Sequence, residues 1–283
     1  MAQGHRTWAV KAVKINTAQR FGEYSICSIP LEKIRFIVAS SVVSYQDKVV
    51  IGKLPRVVWY GGFILAACAG LTNAIAVLGF THNAISYLTG MVAKSSIELA
   101  QANLQALIPT ISIITAFFVG AMLSGFVVKN QSLCQSRSYG VGLLLESTLL
   151  FFAYLFFSRE YFVGELLAAA ACGLQNAMVT TYSGAIIRTT HLTGIISDLG
   201  ASVGHWLAGK QHSKKKILIH SMLVGGFFCG GVLGTFLYTA LKYTALLIPA
   251  GIIFITGAAY ITMSQVKIYR KNRQVRIADQ VSG

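Results

Sequence analysis

Few residues in this chain have side chains suited to chemistry, and most of those stand inside or beside long apolar stretches. Asn73, Gln175 and Asn176 are carboxamides in otherwise apolar sequence. An unpaired amide in apolar surroundings costs about 1 to 3 kcal/mol, so each should face protein and find a partner. They fit either a polar binding site or a bridge between helices. Thr89-Gly90 and Thr193-Gly194 offer a different chemistry. Thr can cap a short following helix while Gly permits a turn or a close approach, which leaves N–H groups at a positive helix end. Such an end binds anions or ions, or is simply a capped junction. Glu146, inside the run LLLESTLLFF, is an acid at membrane depth. Carriers use such a group for proton coupling when a partner answers it, here His82, His191 or Arg188; a shift of its helix would instead bring it to an interface. Lys94 and Asp198 are opposite charges that form a coupling pair if their segments dip toward each other, and are separately solvated if they do not.

These residues fall at matched positions, because the chain repeats itself. Gly70-Leu71-Thr72-Asn73-Ala74 is answered by Gly173-Leu174-Gln175-Asn176-Ala177 at an offset of 103, and Leu88-Thr89-Gly90 by Leu192-Thr193-Gly194 at 104. Ala116 to Gly120, with Leu123 and Phe126, is answered by Gly226 to Gly230, with Leu233 and Phe236, at 110. Lys94 matches Asp198 at the same offset of 104 as the Thr-Gly elements. Three collinear matches imply an internal duplication, an architecture common among transporters.

The elements that must position these residues are membrane helices. The chain is 54% hydrophobic and 12% charged, with a mean hydropathy of +0.62, too few charges to cover a soluble globule of 283 residues. Its apolar segments approach the ~20 residues a helix needs to cross ~30 Å of hydrocarbon. Six spans are expected, near 57–80, 106–128, 139–157, 163–184, 217–239 and 244–266. They fall into two repeats of three, 57–157 and 163–266, so the fold class is an all-α polytopic membrane protein. Three being odd, the second copy enters from the opposite side and the halves are inverted. The polar segments 81–104 and 185–208 are re-entrant or broken helices in that arrangement. If both crossed fully, the chain would have eight spans and parallel repeats. Small residues line one face of two helices, Ala116, Gly120 and Ser124 in one and Gly226, Gly230 and Gly234 in the other. Such faces permit close packing, either of the two helices on each other or of two copies in a homo-oligomer.

Charge fixes the orientation. Of 24 Lys and Arg, six spans with a cytoplasmic N-terminus leave 21 on the cytoplasmic side and only Lys94, Arg159 and Lys242 opposite. The basic excess therefore argues for a lipid bilayer rather than nucleic acid as partner, with the tail 267–283 (Lys267, Arg270, Lys271, Arg273, Arg276) against anionic headgroups. Residues 1–56 are a basic extension with no cleavable signal, either a mobile cytoplasmic segment or the result of a true start near Val49 or Val50. Cys68, Cys172 and Cys229 fall in spans, and Cys27 and Cys134 on the cytoplasmic side; no Cys or His spacing suggests a disulfide framework, a metal or another cofactor. Phosphate-loop, HExxH and GxSxG signatures are absent, so no catalytic residue is assigned.

The segments GLTNAIAVLGFTHNAISYLTGMVAKSS and ACGLQNAMVTTYSGAIIRTTHLTGIISDLG, with the intervening run Leu143-Leu144-Leu145-Glu146, resemble the YoaK family of bacterial inner-membrane proteins, whose function is unknown. The resemblance covers residues 57 to 266 and implies about six helices and an inner-membrane location, but no substrate. The chain departs from the family pattern at Ser86-Tyr87-Leu88 and at Lys94. The expected function is a secondary carrier for a small solute or ion, with Asn73, Thr89, Gly90, Gln175, Asn176, Thr193 and Gly194 at a site between the repeats. Charge coupling would fall to Glu146, Lys94 and Asp198. Two other classes compete. One is a scaffold that grips a partner with its glycine face; the other is a lipid-acting enzyme recruiting His191, Asp198 and His205.

Overall fold

In the computed structural model, apolar stretches and the absence of Pro from all but early helical positions give long helices throughout. The structure describes residues 56–80, 82–128, 137–183, 187–210 and 213–282, all within the unit Asp47–Gly283. The basic extension up to residue 55, with Cys27, and the connection holding Cys134 lie outside the described residues. The helices are α1 (Arg56–Leu78), α2 (Leu88–Ala100), α3 (Leu104–Val127), α4 (Arg137–Phe157), α5 (Val163–Ser183), α6 (Leu192–Leu207), α7 (Lys214–Leu241) and α8 (Leu247–Ser282). A 3₁₀ turn, Lys242–Leu246, joins the last two, entered at Lys242 with φ of 53°. No strand occurs among the described residues.

Among the described residues, four stretches are long and apolar enough to cross a membrane: Val58–Leu78, Leu104–Val127, Arg137–Phe157 and the 53-residue Lys214–Val266, which contains α7 and the first part of α8. Helix α5 falls short because it carries Glu165, Gln175, Asn176, Thr180 and Thr181. It is also the most enclosed helix, with residues Ala168 to Gln175 all buried, so its polar groups meet protein and not lipid. The sixth expected span ends at 266, but α8 continues to Ser282 because nothing between contains Gly or Pro to stop it.

Two aromatic clusters mark the ends of the bundle. At one end Phe157 stacks on Tyr243 at 5.2 Å and meets Phe80 edge-on at 6.3 Å, while the Phe80 amide donates to the Tyr243 hydroxyl at 3.0 Å. This end gathers the C-termini of α1, α4 and α7 and the start of α8. The N-terminus of α5 is here too, Gly164 lying against Phe157, and so is that of α3, whose Ala106 and Pro109 share a cleft with Phe162 and Asn83. At the other end Tyr139 packs against Tyr182 at 4.7 Å and Tyr260 at 5.0 Å, and the Tyr260 hydroxyl donates to that of Tyr182 at 3.0 Å. The long helices therefore alternate in direction, with α1, α4 and α7 pointing one way and α3, α5 and α8 the other.

Helix α1 runs along α7 and α3 along α5, while α4 lies between α5 and α8. Among the described helices, the short α2 packs on α3 and the short α6 on α7. At ~1.5 Å per residue, the 13 residues of α2 reach about 20 Å, near half the length of α3 with its connection.

Candidate functional site

The matched sequence elements meet one another across the halves. A Cβ on Gly70 would collide with the Phe227 carbonyl, and one on Gly230 with the Ala67 carbonyl, so α1 and α7 touch backbone to backbone. The same holds for Gly173 against Phe117 and Gly120 against Ala170, where α5 crosses α3. The Gly-Leu-x-Asn-Ala glycine of each half thus seats the Phe-Phe-x-Gly element of the other. Gly226 and Gly234 extend the first contact, lying against Phe63 and Leu71. Ser124 is buried and Ala116 half-buried on the corresponding face of α3. The two small-residue faces consequently do not pack on each other, as one expectation had it. Each is covered by the first helix of the opposite half, which also removes the α7 glycine face as a grip for another molecule.

At these crossings the short helices begin. The N-caps of α2 and α6 are Tyr87 and His191, and neither makes a side-chain capping bond. Helices that start at the ends of the bundle are finished differently: Asn103 caps α3 by accepting from the Ala106 amide, and Ser213 caps α7 by accepting from that of Lys216. The first helical bonds of α2 and α6 come from the Met91 and Ile195 amides, which leaves three earlier amides at each end without an acceptor among the described residues. Thr89 and Thr193, expected as caps, stand inside the first turn instead. Gly90 and Gly194 make no turn either. A Cβ on Gly90 would enter the Tyr87 ring, and one on Gly194 would approach His191 Cδ2 at 2.5 Å, so these glycines seat the cap ring folded back on its helix.

Both open ends face one cavity of about 420 Å³. Its walls come from α1 (Asn73), α3 (Phe117), α5 (Asn176) and α7 (Phe227), together with Ser86, Tyr87, Thr89, Thr190, His191 and Thr193 from the two short-helix entries. None of its lining residues is acidic. Asn73 Oδ1 accepts from the Ser86 amide at 3.2 Å and the Ser86 hydroxyl at 3.0 Å, tying α1 to the start of α2. Asn176 Oδ1 is buried without a hydrogen bond. Arg188 brings a guanidinium to the first turn of α6, Nη1 lying 3.6 Å from where a Gly194 Cβ would stand.

Of the expected binding residues, Asn73, Thr89, Asn176 and Thr193 come together here. Gln175 does not. It is buried, and its side-chain amide donates to the Leu65 carbonyl at 2.9 Å, bridging α5 to α1. Lys94 and Asp198 do not meet, because α2 and α6 leave the cavity toward opposite ends of the bundle. Lys94 lies 3.1 Å from Asn83 Oδ1 and 3.8 Å from Glu98, and Asp198 lies 3.7 Å from Lys216. Glu146 is buried on α4 and is not among the residues lining the cavity, and its Oε2 has no hydrogen bond among the described residues; none of His82, His191 and Arg188 bonds to it. His82 Nδ1 lies 3.1 Å from the Val77 carbonyl. Cys68, Cys172 and Cys229 are free thiols. The cavity residues that the sequence reading missed are Ser86, Tyr87, Thr190, His191 as a cap, and the aromatic pair Phe117 and Phe227. The signal for the aromatics was available, since they match at the offset of 110 already found.

A family model described as a protein of unknown function, DUF1275, matches residues 61–259, which include both crossings and both short helices. The chain belongs to the DUF1275 family. The YoaK proteins are members of it as well, so the resemblance in the polar elements holds. No curated protein and no solved structure matches this DUF1275 chain.

Proposed function

We propose that this DUF1275 protein is a secondary carrier for a small solute or ion, with its site in the cavity between two inverted repeats of three membrane passes. The observation that carries the reading is convergence: all three repeated elements contribute to that one cavity or to the helix crossings that frame it. The alternating helix directions favour inversion, with α1, α3 and α4 forming one copy and α5, α7 and α8 the other. Helix α2 starts at the cavity and returns to the end where α1 finished, which supports a re-entrant segment rather than a seventh pass. In this arrangement the protein lies in the bacterial inner membrane with both termini cytoplasmic, the lipid bilayer covers its apolar faces, and the basic tail meets headgroups. A homo-oligomer would have to use surfaces other than the glycine face.

A lipid-acting enzyme is less well supported. His191, Asp198 and His205 stand seven residues apart along α6, so successive side chains are separated by about 10 Å of helix rise and cannot act on one bond. The test of the carrier is reconstitution of the full chain in liposomes with a solute panel, reading saturable flux. Flux that survives Asn176→Leu with unchanged affinity for every transported solute would remove the cavity from the mechanism.

A further inference from the structure

We infer that the cavity takes a small oxyanion of the carboxylate, phosphate or sulfate class. This deepens the carrier reading and rests on it only for the claim that the bound anion is also the transported solute.

Two helix N-termini, on helices of 13 and 16 residues, point their uncapped amides into one space. Each end carries partial positive charge, so the two ends repel one another across the cavity. Arg188 adds a full positive charge beside the first turn of α6, where a helix disfavours a cation, and it has no ion pair or hydrogen bond among the described residues. No acidic wall residue offsets this charge. A second observation is independent of the helix ends. Thr190 is 8% exposed and lines the cavity, and its hydroxyl has no hydrogen-bond partner among the described residues. A hydroxyl on so enclosed a side chain is normally satisfied, and this one opens on the cavity, where an occupant can satisfy it. Amides, a hydroxyl donor and a nearby guanidinium around one space make up the donor set that an oxyanion needs. A cavity of about 420 Å³ limits it to a small one.

The test is thermal unfolding of the purified full chain titrated with potassium acetate, phosphate or sulfate at constant ionic strength. Acetamide and ammonium chloride serve as neutral and cationic controls. Binding to the folded state raises Tm by mass action. At least one of the three oxyanions should give a saturable rise of several degrees, and the concentration needed should increase tenfold or more in Thr190→Val and several-fold in Arg188→Gln. Both variants, when empty, should unfold no lower than wild type, because neither side chain has a partner to lose. The inference is overturned if no oxyanion shifts Tm, if acetamide or ammonium does so instead, or if Thr190→Val titrates like wild type. Saturable oxyanion binding without flux in liposomes would sink the carrier reading and leave this one standing. Flux of a neutral or cationic solute through the same cavity would do the reverse.

Discussion

Asn73 and Ser86 are bonded to each other, and their matched residues Asn176 and Thr190 are not, although both pairs line the same cavity. In the first half, then, the short helix is tied to the long helix that precedes it. In the second half an Asn and a hydroxyl residue, here Thr, stand at the matched positions and leave their polar atoms open. The cap rings differ in the same sense, Tyr87 against Gly90 on one side and the polar His191 against Gly194, with Arg188 nearby, on the other. The crossings beneath them do not differ, since both rest on glycine against a backbone carbonyl. The matched elements are alike where backbones touch and differ where side chains face the cavity. The first half thereby supplies a fixed wall and the second an acceptor and a hydroxyl with no partner among the described residues.

The largest effect should come from breaking what the halves share. Gly70→Val and Gly173→Val each drive a branched side chain into a carbonyl on a facing helix that cannot move aside singly, and each should cost more than about 3 kcal/mol. The measurement is the yield of folded, monodisperse protein and its Tm. Similar losses in both variants are expected; a tolerant Gly173 beside an intolerant Gly70 would mean that the crossings are not equivalent.

The next effect should separate the halves. Asn73→Leu strips the Ser86 amide and hydroxyl of their acceptor and should lower stability by about 1 to 3 kcal/mol. Asn176→Leu removes a buried oxygen that bonds to nothing in the protein, so its stability should stay within about 1 kcal/mol of wild type while solute-dependent stabilisation and flux are lost. Equal destabilisation by the two substitutions would erase the distinction between a fixed wall and an open one.

How much of this was legible in the sequence follows the same division. Helix limits were readable to within about three residues, because long apolar runs and polar breaks state them directly; only α8 overran, where polarity changes without a stop signal. Asn73, Thr89, Asn176 and Thr193 were readable because repetition singled them out. Gln175 stands beside Asn176, and a difference of about 100° around a helix sends one into the cavity and the other to the Leu65 carbonyl. Adjacency in sequence does not reveal that choice. The Thr-Gly element carried the right location with the wrong device, since the cap is the residue before Leu and the glycine accommodates its ring. Steric room for a ring folding back three residues leaves no periodic signature.

Gln175→Leu sharpens the contrast from a third side. It should cost about 1 kcal/mol by losing one bond between α5 and α1, with flux per folded molecule unchanged. Loss of flux at full stability would return Gln175 to the binding site. Glu146→Gln tests the coupling role separately, because the group is not among the residues that line the cavity. If Glu146 carries the coupled proton, transport by the inserted variant loses its pH dependence, and an unchanged pH profile would end that role.

The smallest effect concerns Lys94 and Asp198, the one matched pair whose charges are opposite. Were they joined through the axis relating the halves, removing both would cost less than the sum of removing each, and a double-mutant cycle would report the difference. Their helices point away from each other, and each charge already has its own neighbour within 4 Å, Glu98 for Lys94 and Lys216 for Asp198. The Lys94→Ala and Asp198→Ala cycle should therefore close to within about 0.5 kcal/mol, the usual error of additivity between separated sites. The Asp198→Ala and Lys216→Ala cycle should show a coupling of about 0.2 to 1 kcal/mol, weak because Asp198 is 59% exposed, and it should fade as salt is raised. A larger coupling between Lys94 and Asp198 than between Asp198 and Lys216 would require the two short helices to approach each other in some state of the protein, and the wall formed by the first half would then have to move.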